Sequence, residues 1–164
     1  MNPTFTEIQK FNKWWMYILF SSPFLFVSFS FLLAQLYVIV PKGEEKSPIE
    51  VIIKLTFCLL FLIWGISTSL ITQINEKGIS AQFKGIPFCN KKFTWNEIQT
   101  INVIEYSPLI DYGGWGVRIG LNGSCYNVSG KIGIKFTRTN GKPFLIGTQQ
   151  KEEAEKIIKH YFNK

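Results

Sequence analysis

Two patterns of hydrophobic and polar positions divide the chain. From Trp14 to Val40 no charged residue interrupts a run rich in Phe, Leu and Ile, and from Leu55 to Asn75 a second run is again without charge. About 20 apolar residues cross a hydrocarbon core roughly 30 Å thick, so both runs predict transmembrane helices, 14–40 and 55–75. Trp14, Trp15 and Tyr17 at one end of the first run and Tyr37 near the other fit interfacial belts. Pro23 predicts a kink that neighbouring helices can accommodate. The segment 41–54, with Pro41, Gly43 and Pro48, reads as an external hairpin loop, and 1–13 as a cytoplasmic N-terminal segment.

After Asn75 the period changes to two. Ile79, Ala81 and Phe83 alternate with Ser80 and Gln82, and further strands are predicted near 88–94 and 99–106. Trp115, Val117, Ile119 and Leu121 alternate with Gly116, Arg118 and Gly120. Asn122-Gly123 supplies the left-handed positions of a tight hairpin turn into 124–128. Ser129-Gly130 turns the chain into Ile132, Ile134 and Phe136, and Asn140-Gly141 into 144–147. The chain ends in a predicted helix whose apolar stripe is Ala154, Ile157, Ile158, Tyr161 and Phe162. Its early Glu and late Lys residues suit the helix dipole, and Thr148 is its expected N-cap.

Composition agrees with an apolar part joined to a basic one. Hydrophobic residues make up 46% and aromatic residues 16% of the chain, which excludes disorder. Of the net charge of +7, all but one unit lies in residues 76–164, where thirteen Lys and Arg face seven Asp and Glu. Lys10 and Lys13 before the first run, and Lys77, Lys84, Lys91 and Lys92 after the second, outweigh the loop lysines, which Glu44, Glu45 and Glu50 offset. Both termini are therefore expected in the cytoplasm of a multi-pass inner-membrane protein. Cys58, Cys89 and Cys125 have no CxxC spacing, although Cys89 and Cys125 could meet across a sheet.

Seven antiparallel strands closed by a C-terminal α-helix follow the order of a pleckstrin-homology-like (PH-like) barrel. The chain resembles small bacterial membrane proteins that place such a domain after a pair of transmembrane helices. The resemblance rests on Thr94-Trp95-Asn96-Glu97-Ile98, Asp111-Tyr112-Gly113-Gly114-Trp115-Gly116, Tyr126-Asn127-Val128-Ser129-Gly130, and Gly141-Lys142 leading to Leu145-Ile146-Gly147-Thr148. It implies a membrane α-helical hairpin plus a β-rich PH-like barrel over 76–164, anchored in the bilayer and non-enzymatic.

Asp111, Tyr112, Gly113, Gly114 and Trp115 form the candidate binding loop. The glycines permit close backbone approach, and the aromatic rings offer contact surface. The same segment also reads as a tight turn entering a strand, with Trp115 in the core. Lys77, Lys84, Lys91 and Lys92 are the candidate membrane-surface cations. No catalytic or metal constellation emerges: His160, the single His, sits on the polar face of the last helix, and Glu97 is better placed to cap backbone amides than to move protons. No cofactor, nucleic acid or small-molecule substrate is implied. The expected function is a scaffold whose domain engages a protein partner, the membrane face or a second copy. The alternative is a subunit of an oligomeric pore or transporter.

Overall fold

A computed structural model describes residues 2–35, 48–120, 123–139 and 141–162. The end of the first predicted span, the first half of the predicted external loop, Asn122 and Asn140 of the two Asn-Gly turns, and Lys164 lie outside them. The chain divides into two compact units, one of residues Met1–Lys10 with Thr68–Lys164 and one of Phe11–Ser67. The second is thus inserted, in sequence, into the first.

The inserted unit holds α1 (Trp14–Gln35) and α2 (Pro48–Ser67), which pack on each other. Among the described residues no helix is long and apolar enough to cross a membrane. This overturns the two expected spans, and with them the membrane hairpin, the multi-pass inner-membrane location and the cytoplasmic orientation drawn from it. The second charge-free run is not one element. Its helical part belongs to α2, which begins at Pro48 and carries Glu50 and Lys54, joined as an ion pair one turn apart. The rest, Ser69–Asn75, is strand β2. Here Leu70, Thr72 and Ile74 are buried while Gln73 between them is exposed. That is the period-two alternation of a half-buried strand.

The β unit contains nine strands among the described residues, against seven expected, in two sheets. The first has the order β1-β2-β3-β4, with β1 (Phe5–Lys10), β3 (Gly78–Lys84) and β4 (Asn90–Thr94). The second has the order β5-β8-β9-β7-β6, with β5 (Ile98–Glu105), β6 (Gly116–Gly120), β7 (Gly123–Asn127), β8 (Ile132–Arg138) and β9 (Phe144–Gly147). Pairing is antiparallel except between β7 and β9, which are parallel, so the expected all-antiparallel meander is corrected there. Strand β1 lies in the stretch expected to be a cytoplasmic flank, and pairs along its whole length with β2.

The interior is apolar at its centre. Phe93 packs edge-on to Phe136 at 4.8 Å between ring centroids, and Phe144 lies 4.9 Å from Phe93 and 5.6 Å from Phe136. Leu70, Ile74, Ile79, Phe83, Ile134 and Ile146 complete it, each essentially without solvent exposure. The terminal helix α4 (Lys151–Tyr161) docks through Ala154 and Ile158, and packs on β5, β2, β1 and β8. Its end is fixed by Trp95, whose ring stacks on Tyr161 and whose indole N–H donates to the Asn75 carbonyl at 2.9 Å. The N-cap position is Gln150 rather than Thr148. The Thr148 hydroxyl instead donates to Glu7 and accepts the Gln150 N–H.

Candidate functional site

Alternation along the second sheet sorts its residues onto two faces. Cross-strand partners share a face, so Val117, Tyr126, Ile146 and Ile134 form one inner row, and Ser124, Phe144 and Phe136 belong to the next. The outer face carries the row Arg118, Cys125, Leu145, Lys135 and Asn102. A short helix α3 (Pro108–Tyr112) follows β5 and covers part of this outer face. Tyr106, Cys125 and Leu145 are buried there as a small separate cluster, with Ile104 and Tyr112 packed against it.

Between α3 and the sheet lies an open cleft of about 410 Å³ lined by Ile104, Glu105, Tyr106, Asp111, Tyr112, Lys135, Pro143 and Leu145. The rings of Tyr106 and Tyr112 meet edge-to-face at 5.9 Å. Asp111 brings a carboxylate to this rim, and half-buried Lys135 rises from the floor.

The expected binding loop borders this cleft, but its members have unequal roles. Asp111 and Tyr112 line it. Asp111 also receives the Ser107 N–H at 2.8 Å, which closes the first turn of α3. Gly113 ends α3 in the left-handed conformation, its N–H bonded to the Leu109 and Pro108 carbonyls. Gly114, at φ +123°, turns the chain toward β6 and is buried. Trp115 is half-buried and does not line the cleft, so the loop presents one aromatic ring there rather than two.

Sequence reasoning missed the residue that holds the loop. Asn127 is fully buried, accepts the Gly116 N–H at 2.9 Å and donates to the Tyr106 hydroxyl at 2.9 Å. Its amide also reaches the Gly114 carbonyl at 3.5 Å. One side chain therefore fixes both the loop and the ring at the back of the cleft. The available signal was an Asn between apolar Tyr126 and Val128, just before a Ser-Gly turn. Lys135, Glu105 and Tyr106 were missed as well, because nothing in the local sequence shows that β5 and β8 adjoin.

The four expected membrane-surface lysines do not converge. Lys91 and Lys92 are consecutive on β4 and point to opposite faces of it. Lys77 lies in the turn just before β3 and Lys84 at its far end, and the seven-residue strand between them spans about 20 Å. Cys89 and Cys125 do not meet either. Cys89 interacts with the Tyr126 side chain, and Tyr126 and Cys125, consecutive in β7, face opposite sides of the sheet.

The groups under the cleft are kept in their protonated forms. Burial pushes the Cys125 thiol up to about 12, against a small opposing pull from Arg118. Burial also raises the Tyr106 and Tyr112 phenols above their ordinary value. At neutral pH these offer hydrogen bonds and contact surface, not a nucleophile or a base. Among the described residues no three His, Cys, Asp or Glu side chains group as metal ligands. Glu97 accepts the Thr94 N–H at 2.8 Å in a capping box, as expected of a cap, and this bond holds its carboxyl below the usual range.

No family model, curated protein or solved structure matches this chain. Nothing in those comparisons identifies a PH-like domain, and the reading of the cleft rests on its own geometry.

Proposed function

We propose that the β unit is a non-enzymatic binding module whose outer-face cleft takes a short segment of a protein partner. The observation that carries this reading is the cleft itself. Two tyrosine rings, one held by a buried asparagine and one carried on a five-residue helix, stand over a floor with one cation and a rim with one carboxylate. Concave sites that combine aromatic surface with a few placed polar groups are the usual form of a recognition site. Tyrosine supplies large contact area at low entropic cost, which is why it recurs in interface hot spots. The reading also needs a site that does no chemistry, and the protonated thiol and phenols around the cleft support that.

A photoreactive amino acid placed at Tyr112 or at Lys135 tests it in cells. The expected result is the same discrete protein adduct from both positions and none from Lys91, which is exposed on β4. Equal labelling from all three positions, or no adduct from either cleft position, would overturn the proposal.

A further inference from the structure

The two sheets have four edges, and they differ in how they are closed. An open edge presents unpaired N–H and C=O groups that can pair with another chain. Strand β1 is blunted by inward-pointing polar side chains: buried Gln9 donates to the Gly147 carbonyl at 2.6 Å, and buried Glu7 receives the Gln149 N–H at 2.8 Å. Helix α4 packs along β5. Strand β4 carries exposed Lys91 and Lys92, which discourage pairing. Strand β6 is guarded least: it carries a single exposed cation, Arg118, and is contacted only at one side by the five-residue helix α3. It pairs only with β7 among the described residues, and its last three residues are exposed, with Ile119 at 85%.

The hydrogen-bonding groups of β6 can be placed by alternation. Ser124 gives its N–H to the Pro143 carbonyl at 3.0 Å, away from β6. Its partner Ile119 therefore sits at a non-hydrogen-bonded position of the β6–β7 ladder, and so does Val117 two residues earlier. Both direct their N–H and C=O groups to the outer edge. Arg118 between them projects from the outer face, in the same cross-strand row as Cys125, Leu145 and Lys135. Three strand spacings separate Arg118 from Lys135, about 14 Å.

We propose that β6 is the docking edge for an extended acidic segment of another protein, which adds to the second sheet as a sixth strand. This rests on the reading that the cleft face engages a protein partner. Main-chain bonds to Val117 and Ile119 supply the pairing, and an acidic side chain on the outer face meets Arg118. Apolar side chains on the opposite face of the incoming strand meet Val117 and exposed Ile119. Strand addition of this kind draws affinity from the backbone and specificity from alternate side chains. Charge selects the occupant. Residues 76–164 carry thirteen Lys and Arg against seven Asp and Glu, so a second copy is repelled. A two-fold pairing centred on the middle of β6 would also set Arg118 against Arg118, which is destabilising.

The test uses the full chain and a short fluorescent peptide of alternating valine and aspartate, read by anisotropy and by amide hydrogen exchange. Saturable binding that slows exchange at Val117 and Ile119 by tenfold or more supports the proposal. The Arg118→Glu variant should weaken binding by about tenfold, the effect of replacing an attractive cross-strand pair by a repulsive one. Val117→Pro should remove binding and still fold, because the lost N–H points away from β7 and Pro is tolerated at such edge positions. Absence of peptide binding overturns the proposal, and so does binding without slowed exchange at Val117 and Ile119. If Tyr112→Ala abolishes binding and Val117→Pro does not, the edge is excluded and the cleft reading stands. Slowed exchange that rises with protein concentration alone would show a second copy in place of the acidic partner.

Discussion

The two faces of the second sheet are built from the same strands and alternate residues of them, yet they have different surroundings. On the inner face Tyr126, Ile134, Phe136, Phe144 and Ile146 are buried against one another and against the first sheet. On the outer face Tyr106, Cys125 and Leu145 are buried with the polar Asn127, and the row through them runs from exposed Arg118 to half-buried Lys135 and exposed Asn102. The inner face carries most of the buried apolar side chains of this sheet. The outer face is left partly covered and polar at its margins. The difference teaches that one set of alternate positions on a strand can be given to the core while the other is left free of it.

The largest expected effect comes from the inner face. Phe136 is 1% exposed and touches two other rings, so Phe136→Ala should cost about 3–5 kcal/mol in chemical denaturation. A cost below that of any outer-face change would break the comparison. Asn127→Ala comes next, at about 1–3 kcal/mol, because it leaves the half-buried Gly116 N–H and the buried Tyr106 hydroxyl without their partner. Faster amide exchange confined to 113–116 should accompany it. Lys135→Ala should change stability by less than about 0.5 kcal/mol, the range of substitutions away from core, cap or network.

The smallest effect is one of pH. The Glu97 carboxyl is held below its ordinary value by the Thr94 N–H. A depressed folded-state value means that its contribution is complete above the ordinary value of about 4.3 and is lost as pH falls through the lowered one. Fluorescence of the adjacent Trp95 should therefore stay constant down to about pH 4 and change only below it. A transition centred at neutral pH would contradict the capping role.

Much of the β unit was legible because its strands obey the simple rule of apolar residues inside. Ile79, Ala81 and Phe83 are buried as their spacing predicts, and so are Ile134 and Phe136. Strand β1 was not legible because it inverts the rule. Beside Phe5, its buried side chains are Glu7 and Gln9, bonded to the 147–149 segment, while Ile8 is 59% exposed. Strand β2 was hidden for another reason: absence of charge was read as membrane, although Thr72 and Gln73 break the apolar run with strand periodicity. The loop 111–115 stood out through its glycines and aromatic residues, and two of its five residues line the cleft. Its partners on β5, β7 and β8 were out of reach, since their proximity is set by sheet order and not by sequence distance.

The central claim is that the outer face recognises a partner and the inner face holds the fold. It is tested most directly by one double variant, Tyr112→Ala with Lys135→Ala, carrying a photoreactive residue at exposed Ile110 on α3. Thermal midpoint and partner capture are read on the same preparation. A midpoint within a few degrees of the parent, together with loss of the adduct, is the predicted result. An unchanged adduct at an unchanged midpoint would contradict it.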